Sequence, residues 1–244
     1  MARRILVFDM DGTLTLPVQP ITEDMKEVLL RCKNRGYDIA VASGSNYISI
    51  RKQIGKDFVN DFNFIFSENG TQVHQRGELV HSLDIRDVLP EKVLKELVEF
   101  SLIYIAKLDI PVKRGTFIEF RKSLINLCPV GRNCSNQERQ EFAALDKERD
   151  IRGQFIEELK KRFGSGDLAL RFVAGGQISI DVFPKPWTKA LCISHLKDYE
   201  EIHFFGDNTH EGGNDYEICN HPDVIGHTVK NYKDLIAQLN DMIG

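Results

Sequence analysis

The sequence lacks the patterns that identify membrane proteins and zinc-binding modules. No apolar run approaches the roughly 18 residues that a membrane span needs. The apolar stretch near the start, residues 5–8, is too short for the core of a signal peptide. The five cysteines include no CxxC pair and no His/Cys cluster at zinc spacing, which favours reduced thiols. We therefore expect a cytoplasmic protein.

An excess of charge of one sign is also missing. The net charge is -4, so no global field attracts nucleic acid or an anionic membrane, and we expect neither as a partner. Hydrophobic residues (42%) and charged residues (28%) are near the averages of soluble globular proteins, which excludes disordered and fibrous classes. No internal repeat or low-complexity tract is present. A length of 244 residues leaves one large domain or two modest domains open.

The first part of the chain alternates between short apolar runs and helical patterns. The runs 5–8, 39–42 and 64–66 are continuously apolar, as expected for buried strands of a parallel sheet. Between the first two runs, apolar residues recur at helical spacing from Met25 to Cys32, and a short helix is predicted at 47–54. This βαβαβ order predicts an α/β fold with a doubly wound, mostly parallel sheet.

The rhythm changes in the middle of the chain. Segments 71–74 and 79–83 form a predicted hairpin, and an amphipathic stretch follows Pro90. Two further predicted strand pairs, 116–121 with 124–129 and 168–174 with 178–184, enclose helical patterns at 136–163. Antiparallel strands with helices grouped beside them predict an α+β unit built on an antiparallel sheet.

The first rhythm returns after Pro186, with a predicted helix at 187–196, strands at 202–205 and 224–225 with a helix between them, and a final helix at 232–242. The predicted organisation is therefore discontinuous. We expect residues 1–83 and 186–244 to form one discontinuous core and residues 84–185 to form an inserted cap domain.

Polar residues stand where the predicted parallel strands end, which is where such sheets bind ligands. They are Asp9, Asp11, Ser43, Ser45, Asn69 and Asp207. Each close carboxylate pair costs about 4 kcal/mol at an effective dielectric of 20, so the cluster needs a cation. Oxygen ligands with room for water and phosphate predict Mg²⁺. Serine and asparagine also occur in ordinary turns, so they are weaker candidates than the carboxylates.

The two aspartates of the first strand end suit phosphoryl transfer. A carboxylate can attack phosphorus directly, and Asp9 is placed for that role. Asp11, two residues later, can protonate the leaving oxygen and accept a proton from the attacking hydroxyl. Lys189 would hold the charge of Asp9 and of the phosphate.

These residues resemble the four motifs of the haloacid dehalogenase superfamily, namely residues 9–15, Ser43, Lys189, and 206–207 with 214–215. Longer stretches resemble the eukaryotic phosphomannomutases, whose cap is of type IIB: 114–121, 126–132, 138–139, 178–184 and 204–207. The resemblance implies a haloacid dehalogenase-like core. It also implies interconversion of mannose 6-phosphate and mannose 1-phosphate through an aspartyl-phosphate and a hexose 1,6-bisphosphate, which also serves as activator. The product would feed GDP-mannose synthesis for protein glycosylation, and the enzyme would be a homodimer through the cap.

The resemblance also implies a set of binding residues. Arginine forks bind phosphate with two parallel hydrogen bonds, and Ser179 and Asp181 alternate on one predicted strand, so both can face the sugar. The expected substrate-binding residues are Arg121, Arg132, Arg139, Ser179, Asp181, Asn126, Ser45 and Asn69. The expected metal ligands are Asp9, Asp11, Asp207 and Asp215, although Asp215 could instead act through water or cap a helix, and Ser43 is an alternative to Ser45.

One position departs from the family pattern. The family usually has an arginine where this chain has Val18, which removes a phosphate contact from the core. Two rival functions follow from the same residues. One is a sugar-phosphate phosphatase, in which water attacks the aspartyl-phosphate, and the other is a non-catalytic phosphosugar-binding module.

Overall fold

The computed structural model describes residues 3–244, which form two compact units. Unit 1 consists of the chain up to Ser82 together with Trp187–Gly244, and unit 2 is Leu83–Pro186. The strands are β1 (Arg4–Phe8), β2 (Tyr37–Ala42), β3 (Phe64–Ser67), β4 (Gln72–Gln75), β5 (Glu78–Ser82), β6 (Ile118–Phe120), β7 (Ile125–Leu127), β8 (Leu170–Gly175), β9 (Ser179–Pro184), β10 (Glu201–Gly206) and β11 (Ile225–Thr228). The helices are α1 (Glu23–Asn34), α2 (Tyr47–Ile54), α3 (Ile85–Val88), α4 (Glu91–Lys107), α5 (Asn136–Arg149), α6 (Ile151–Phe163), α7 (Tyr216–Cys219) and α8 (Tyr232–Ile243).

Unit 1 is built on a seven-stranded sheet in the order β11-β10-β1-β2-β3-β4-β5. The first five strands in this order are parallel, and β4 and β5 are antiparallel. Phe8 pairs with Phe205 on one side and with Val41 on the other, so β1, β10 and β2 end at the same edge of the sheet. The predicted doubly wound, mostly parallel sheet is confirmed.

Both faces of this sheet are covered by apolar packing. Leu6 and Phe8 belong to a cluster that includes residues of α1, α2 and α8. Ile5 and Val7 point to the opposite face and belong to a cluster with Cys192. Because successive strand residues face opposite sides, burial of both faces explains why the strand sequences are continuously apolar.

Unit 2 contains a four-stranded antiparallel sheet in the order β6-β7-β9-β8. One face is apolar, since Ile125 and Val182 are fully buried. The other face carries polar residues, among them Asn126 and Asp181, which pair directly across β7 and β9. The α5 helix begins with a capping box in which Ser135 and Glu138 bond to each other's backbone N–H groups. The predicted antiparallel α+β arrangement is confirmed.

Some predicted boundaries differ from the observed ones. The predicted helix at 187–196 is a 3₁₀ helix over Lys189–His195, whose first turn is capped by Thr188. The last strand starts at Ile225 and continues through Gly226 to Thr228, because pairing with β10 rather than apolar composition defines it. The helix before it is only four residues long, since a loop rich in polar residues occupies 207–215. No helix within residues 3–244 is both long and apolar enough to cross a membrane.

Candidate active site

The first strand end brings Asp9 next to the end of β10. The Asp9 amide donates to the Phe205 carbonyl at 2.9 Å, and the residue is 5% exposed. Gly12, in the loop that follows, has φ +94°, and a Cβ atom there would lie 2.7 Å from Asp207 Oδ2. Glycine at this position therefore lets the loop after β1 approach the loop after β10 closely.

Lys189 joins two carboxylates in the interior of unit 1. Its side chain is fully buried, and its Nζ donates to Asp9 Oδ1 and to Asp215 Oδ1, the latter at 2.6 Å. The Thr188 hydroxyl accepts from the Ala190 amide, which starts the 3₁₀ helix and fixes the backbone at Lys189. The sequence-predicted lysine is thus in contact with the predicted nucleophile.

Burial and repulsion shift the protonation equilibria of this group. Burial raises the pKa of Asp9 from 3.8 to about 7, with a further increase from Asp215, although the ammonium of Lys189 opposes the shift. Burial by itself would lower the pKa of Lys189, but Asp9 and Asp215 outweigh this effect and raise it. Two carboxylates and one ammonium therefore leave an excess of buried negative charge, which a proton or a metal ion neutralises.

An acidic cluster suited to a cation lies at the same place. Asp9, Asp207 and Asp215 offer oxygen atoms that all lie within 4.8 Å of one another. Oxygen-only ligands match the preference of Mg²⁺. Asp215 is fully buried, its Oδ2 accepts from the Asn208 amide at 3.1 Å, and it makes no side-chain cap bond to α7. Asp215 thus belongs to this cluster rather than acting as a helix cap.

Asp11 lies outside that cluster, and its carboxylate is held by other groups. Asp11 Oδ1 accepts from the Val18 amide at 2.7 Å. The side-chain amide nitrogen of Gln53 donates to the same Oδ1 at 3.2 Å and to the Thr15 hydroxyl. Val18 has φ +60°, a conformation that β-branched residues rarely adopt. The strained loop and a buried glutamine therefore fix the orientation of the Asp11 side chain.

The loops that follow β2 and β3 contact each other at the same edge of the sheet. Ser43 is buried, and its Oγ accepts from the Ser45 amide at 3.1 Å. The Asn69 amide donates to the Ser43 carbonyl at 2.9 Å, and Asn69 has φ +60°. Ser43 therefore stabilises the loop after β2 and joins it to the loop after β3. Ser45 and Asn69 are half-buried.

In unit 2, several predicted substrate residues form one hydrogen-bonded row on the polar face of the sheet. Glu119 pairs with Asn126, and Asn126 pairs with Asp181, across β6, β7 and β9. Asn126 is 2% exposed, and its Nδ2 donates to Asp181 Oδ1 at 2.6 Å. Arg132 Nη1 donates to Asn126 Oδ1 at 2.8 Å. Arg121 Nε and Nη2 both lie 2.9 Å from Glu119 Oε2.

Two other predicted residues are placed differently. Ser179 is buried, and its hydroxyl donates to the Gly175 carbonyl at 2.8 Å. Arg139 is half-buried on α5, and within residues 3–244 its side chain forms no bond to the row. Gly131, with φ +89°, is in close contact with Gly115, so a side chain there would displace the segment that carries Arg132.

Sequence reasoning missed two participants, Glu119 and Gln53. Glu119 lies on β6 and Arg121 directly follows that strand, so alternation along the extended segment places both side chains on the same face. Gln53 lies on α2, far from Asp11 along the chain, and no sequence signal connects the two.

Comparison with known proteins places these features in a family. Residues 25–244 match the family model described as eukaryotic phosphomannomutase. The chain is 57% identical over 243 residues to a phosphomannomutase of Babesia bovis, which covers 100% of this chain and 99% of that relative. It is 47% identical over 234 residues to a phosphomannomutase of Arabidopsis thaliana, covering 96% of this chain and 94% of that relative.

Solved structures establish the type of fold. A haloacid dehalogenase-like hydrolase from Bacteroides thetaiotaomicron superposes with a TM-score of 0.55 at 17% identity, over 97% of this chain and 92% of that one. At this level of identity the likeness concerns the fold alone, which is haloacid dehalogenase-like.

Proposed function

The chain belongs to the eukaryotic phosphomannomutase family and is an enzyme of hexose phosphates, and we propose that it interconverts mannose 6-phosphate and mannose 1-phosphate with Asp9 as the nucleophile. The reaction would pass through an aspartyl-phosphate and a hexose 1,6-bisphosphate, which also serves as the activator. The contact of buried Lys189 with Asp9 carries this proposal, because a lysine that holds both Asp9 and Asp215 orients the Asp9 carboxylate and offsets its charge.

The catalytic roles follow from the positions of the side chains. Asp9 attacks the phosphoryl group, and Lys189 stabilises the negative charge shared between them. Asp11 donates a proton to the leaving oxygen and later removes one from the attacking hydroxyl. Its orientation is fixed by the Val18 amide and the Gln53 side chain, so it can remain in place for both steps. Ser45 and Asn69 would supply neutral donors to the phosphate.

The acidic cluster supports Mg²⁺ as the cofactor. Asp9, Asp207 and Asp215 would hold the ion, whereas the Asp11 carboxylate would serve in proton transfer rather than as a member of that cluster. When bound, Mg²⁺ would neutralise charge on the transferring phosphoryl group.

Unit 2 is proposed to bind the sugar phosphate as a cap. Arg121, Arg132 and Arg139 would bind the phosphate group that is not being transferred, and Asp181 would bind sugar hydroxyls. Ser179 lies on the same strand and faces the same side of the sheet as Asp181, so it would also bind sugar hydroxyls. A mutase needs such a second phosphate site, because the bisphosphate must be held by either end in turn.

The experiment that tests the proposal separates transfer from hydrolysis. With Mg²⁺ and a hexose bisphosphate primer, mannose 1-phosphate should give mannose 6-phosphate in a phosphorus NMR time course. Inorganic phosphate as the main product would instead support the phosphatase. Asp9→Asn should abolish turnover, whereas Asp223→Asn, which alters an exposed carboxylate of unit 1, should not. Full turnover by Asp9→Asn would exclude Asp9 as the nucleophile.

The oligomeric state is part of the proposal. Unit 2 exposes Leu102 and Ile103 on α4, with exposed fractions of 45% and 57%. We assign this face to a homodimer contact through the cap. Ile103→Glu should convert a dimer to a monomer in sedimentation experiments, and a monomeric wild-type protein would exclude the assignment. A cytosolic location, which fits five unpaired cysteines, would place the product at the start of GDP-mannose synthesis.

A further inference from the structure

The polar face of the antiparallel sheet contains a carboxylate at the centre of a proposed anion site. Glu119 Oε2 is 2.9 Å from two nitrogens of Arg121 and 3.2 Å from Arg132 Nε. One carboxylate oxygen is thus shared by two guanidinium groups. Its negative charge opposes the binding of phosphate, so its presence between two phosphate-binding arginines needs a physical reason.

Stability does not supply that reason. The side chains of Glu119, Arg121 and Arg132 are 38%, 36% and 32% exposed. Ion pairs with this exposure contribute little to folding, because water screens them and the long side chains lose conformational freedom.

The reason for the carboxylate is instead the orientation of the two arginine side chains. An arginine side chain has many rotamers, and restricting them before the ligand arrives lowers the entropic cost of binding. Arg121 contacts Glu119 through one edge, Nε and Nη2, and Arg132 is held at Nε by Glu119 and at Nη1 by Asn126. A guanidinium group has five N–H donors, and these contacts use two nitrogens of each arginine, so the remaining donors can still bind a phosphate.

We propose that Glu119 is a positioning residue of the hexose-phosphate site in unit 2, and that its carboxylate fixes Arg121 and Arg132 in the orientation that binds phosphate. The inference rests on the proposed function, since it assumes that these arginines contact the substrate. Asn126 extends the arrangement, because the same amide that holds Arg132 also holds Asp181. Phosphate recognition and sugar recognition are thereby connected through one buried side chain.

The test uses binding without turnover. In proteins that carry Asp9→Asn, the dissociation constant of mannose 1-phosphate is measured by calorimetry, with and without Glu119→Ala. Loss of one shared, charge-assisted contact should weaken binding about tenfold. The matched control is Glu157→Ala, which removes an exposed carboxylate of the same unit and changes the net charge equally; it should leave binding unchanged.

Glu119→Gln separates orientation from charge. Glutamine keeps one acceptor oxygen and removes the negative charge, so its dissociation constant should lie between those of the parent and Glu119→Ala. If both substitutions tighten binding, the carboxylate acts only by repulsion and the proposal is wrong. The proposal is equally wrong if Glu119→Ala binds as the parent does.

A double-variant experiment identifies the groups through which Glu119 acts. With Arg121 and Arg132 both replaced by alanine, Glu119→Ala should no longer weaken binding, because nothing remains to be positioned and only the repulsion between the carboxylate and the phosphate is removed. A persistent tenfold effect would assign Glu119 to another role. Failure of any of these outcomes leaves the isomerisation of mannose 1-phosphate by the wild-type enzyme intact, whereas absence of that isomerisation would remove the proposed function itself.

Discussion

Replacing Lys189 by methionine tests the electrostatic account of the buried centre. Methionine preserves most of the side-chain length and removes the charge, which leaves Asp9 and Asp215 buried without their cation. Removal of one partner from a buried ion pair costs about 3–5 kcal/mol. We therefore expect the Tm of the metal-free protein at pH 8 to fall by roughly 10 °C.

The decrease in Tm caused by Lys189→Met should depend on pH and on Mg²⁺. The pKa of Asp9 is already about 7 and should rise further without Lys189, so at pH 6 the carboxyl group is protonated and the deficit shrinks. Mg²⁺ should stabilise the variant more than the wild type, because it supplies the missing positive charge. Turnover should fall by about a hundredfold or more, since the charge beside the phosphoryl group is gone.

Thermal unfolding at pH 6 and pH 8, with and without Mg²⁺, measures the changes in stability, and the phosphorus NMR assay measures turnover. The matched control is Lys26→Met, which removes a lysine paired with exposed Glu23 and should cost less than about 1 kcal/mol. A deficit that is equal at both pH values, or no larger than that of the control, would refute the account.

Three other predictions concern the backbone and the protonation of the site. Val18→Gly should stabilise the protein by about 1 kcal/mol in urea unfolding, because it relieves a left-handed β-branched residue while the amide still binds Asp11; a loss of stability would contradict this. Gly131→Ala should destabilise by about 3 kcal/mol, since its Cβ would overlap Gly115, and an unchanged urea midpoint would exclude the clash. The folded protein holds the Asp9 proton up to about pH 7, whereas the unfolded chain releases it near pH 4, so this group's contribution to stability is present below about pH 4 and is lost as the pH rises to 7. Asp9→Asn should therefore raise the Tm of the metal-free protein more at pH 8 than at pH 5, and an equal increase at both would refute the raised pKa.

The positions of the site residues could be predicted because the ends of buried parallel strands can be recognised in the sequence. Continuous apolar runs marked the parallel strands, and the rule that ligands bind beyond their carboxyl ends selected Asp9 and Asp207. The last strand was harder to locate, since Gly226 and His227 form a strand only through pairing with β10.

Contacts between distant segments could not be predicted in the same way. Nothing local indicates that Asp215, eight residues beyond Asp207, turns back to bond Lys189. The left-handed conformation of Val18 is likewise imposed by the loop and not by its own preference. Alternation along the predicted strand 116–121 would have placed Glu119 beside Arg121, but only the strand register shows that Asn126 is the neighbour of Glu119.

The position of β1 in the middle of the large sheet has a consequence for biosynthesis. Its neighbour β2 emerges from the ribosome soon afterwards, but β10 is almost 200 residues away along the chain. At about 5–20 residues per second, one side of the nascent strand waits on the order of ten seconds or more for its partner. Unit 2 is continuous and is translated during that interval. Chaperones that shield exposed strand edges should therefore act on the segment that contains β1 and β2 until β10 has been synthesised.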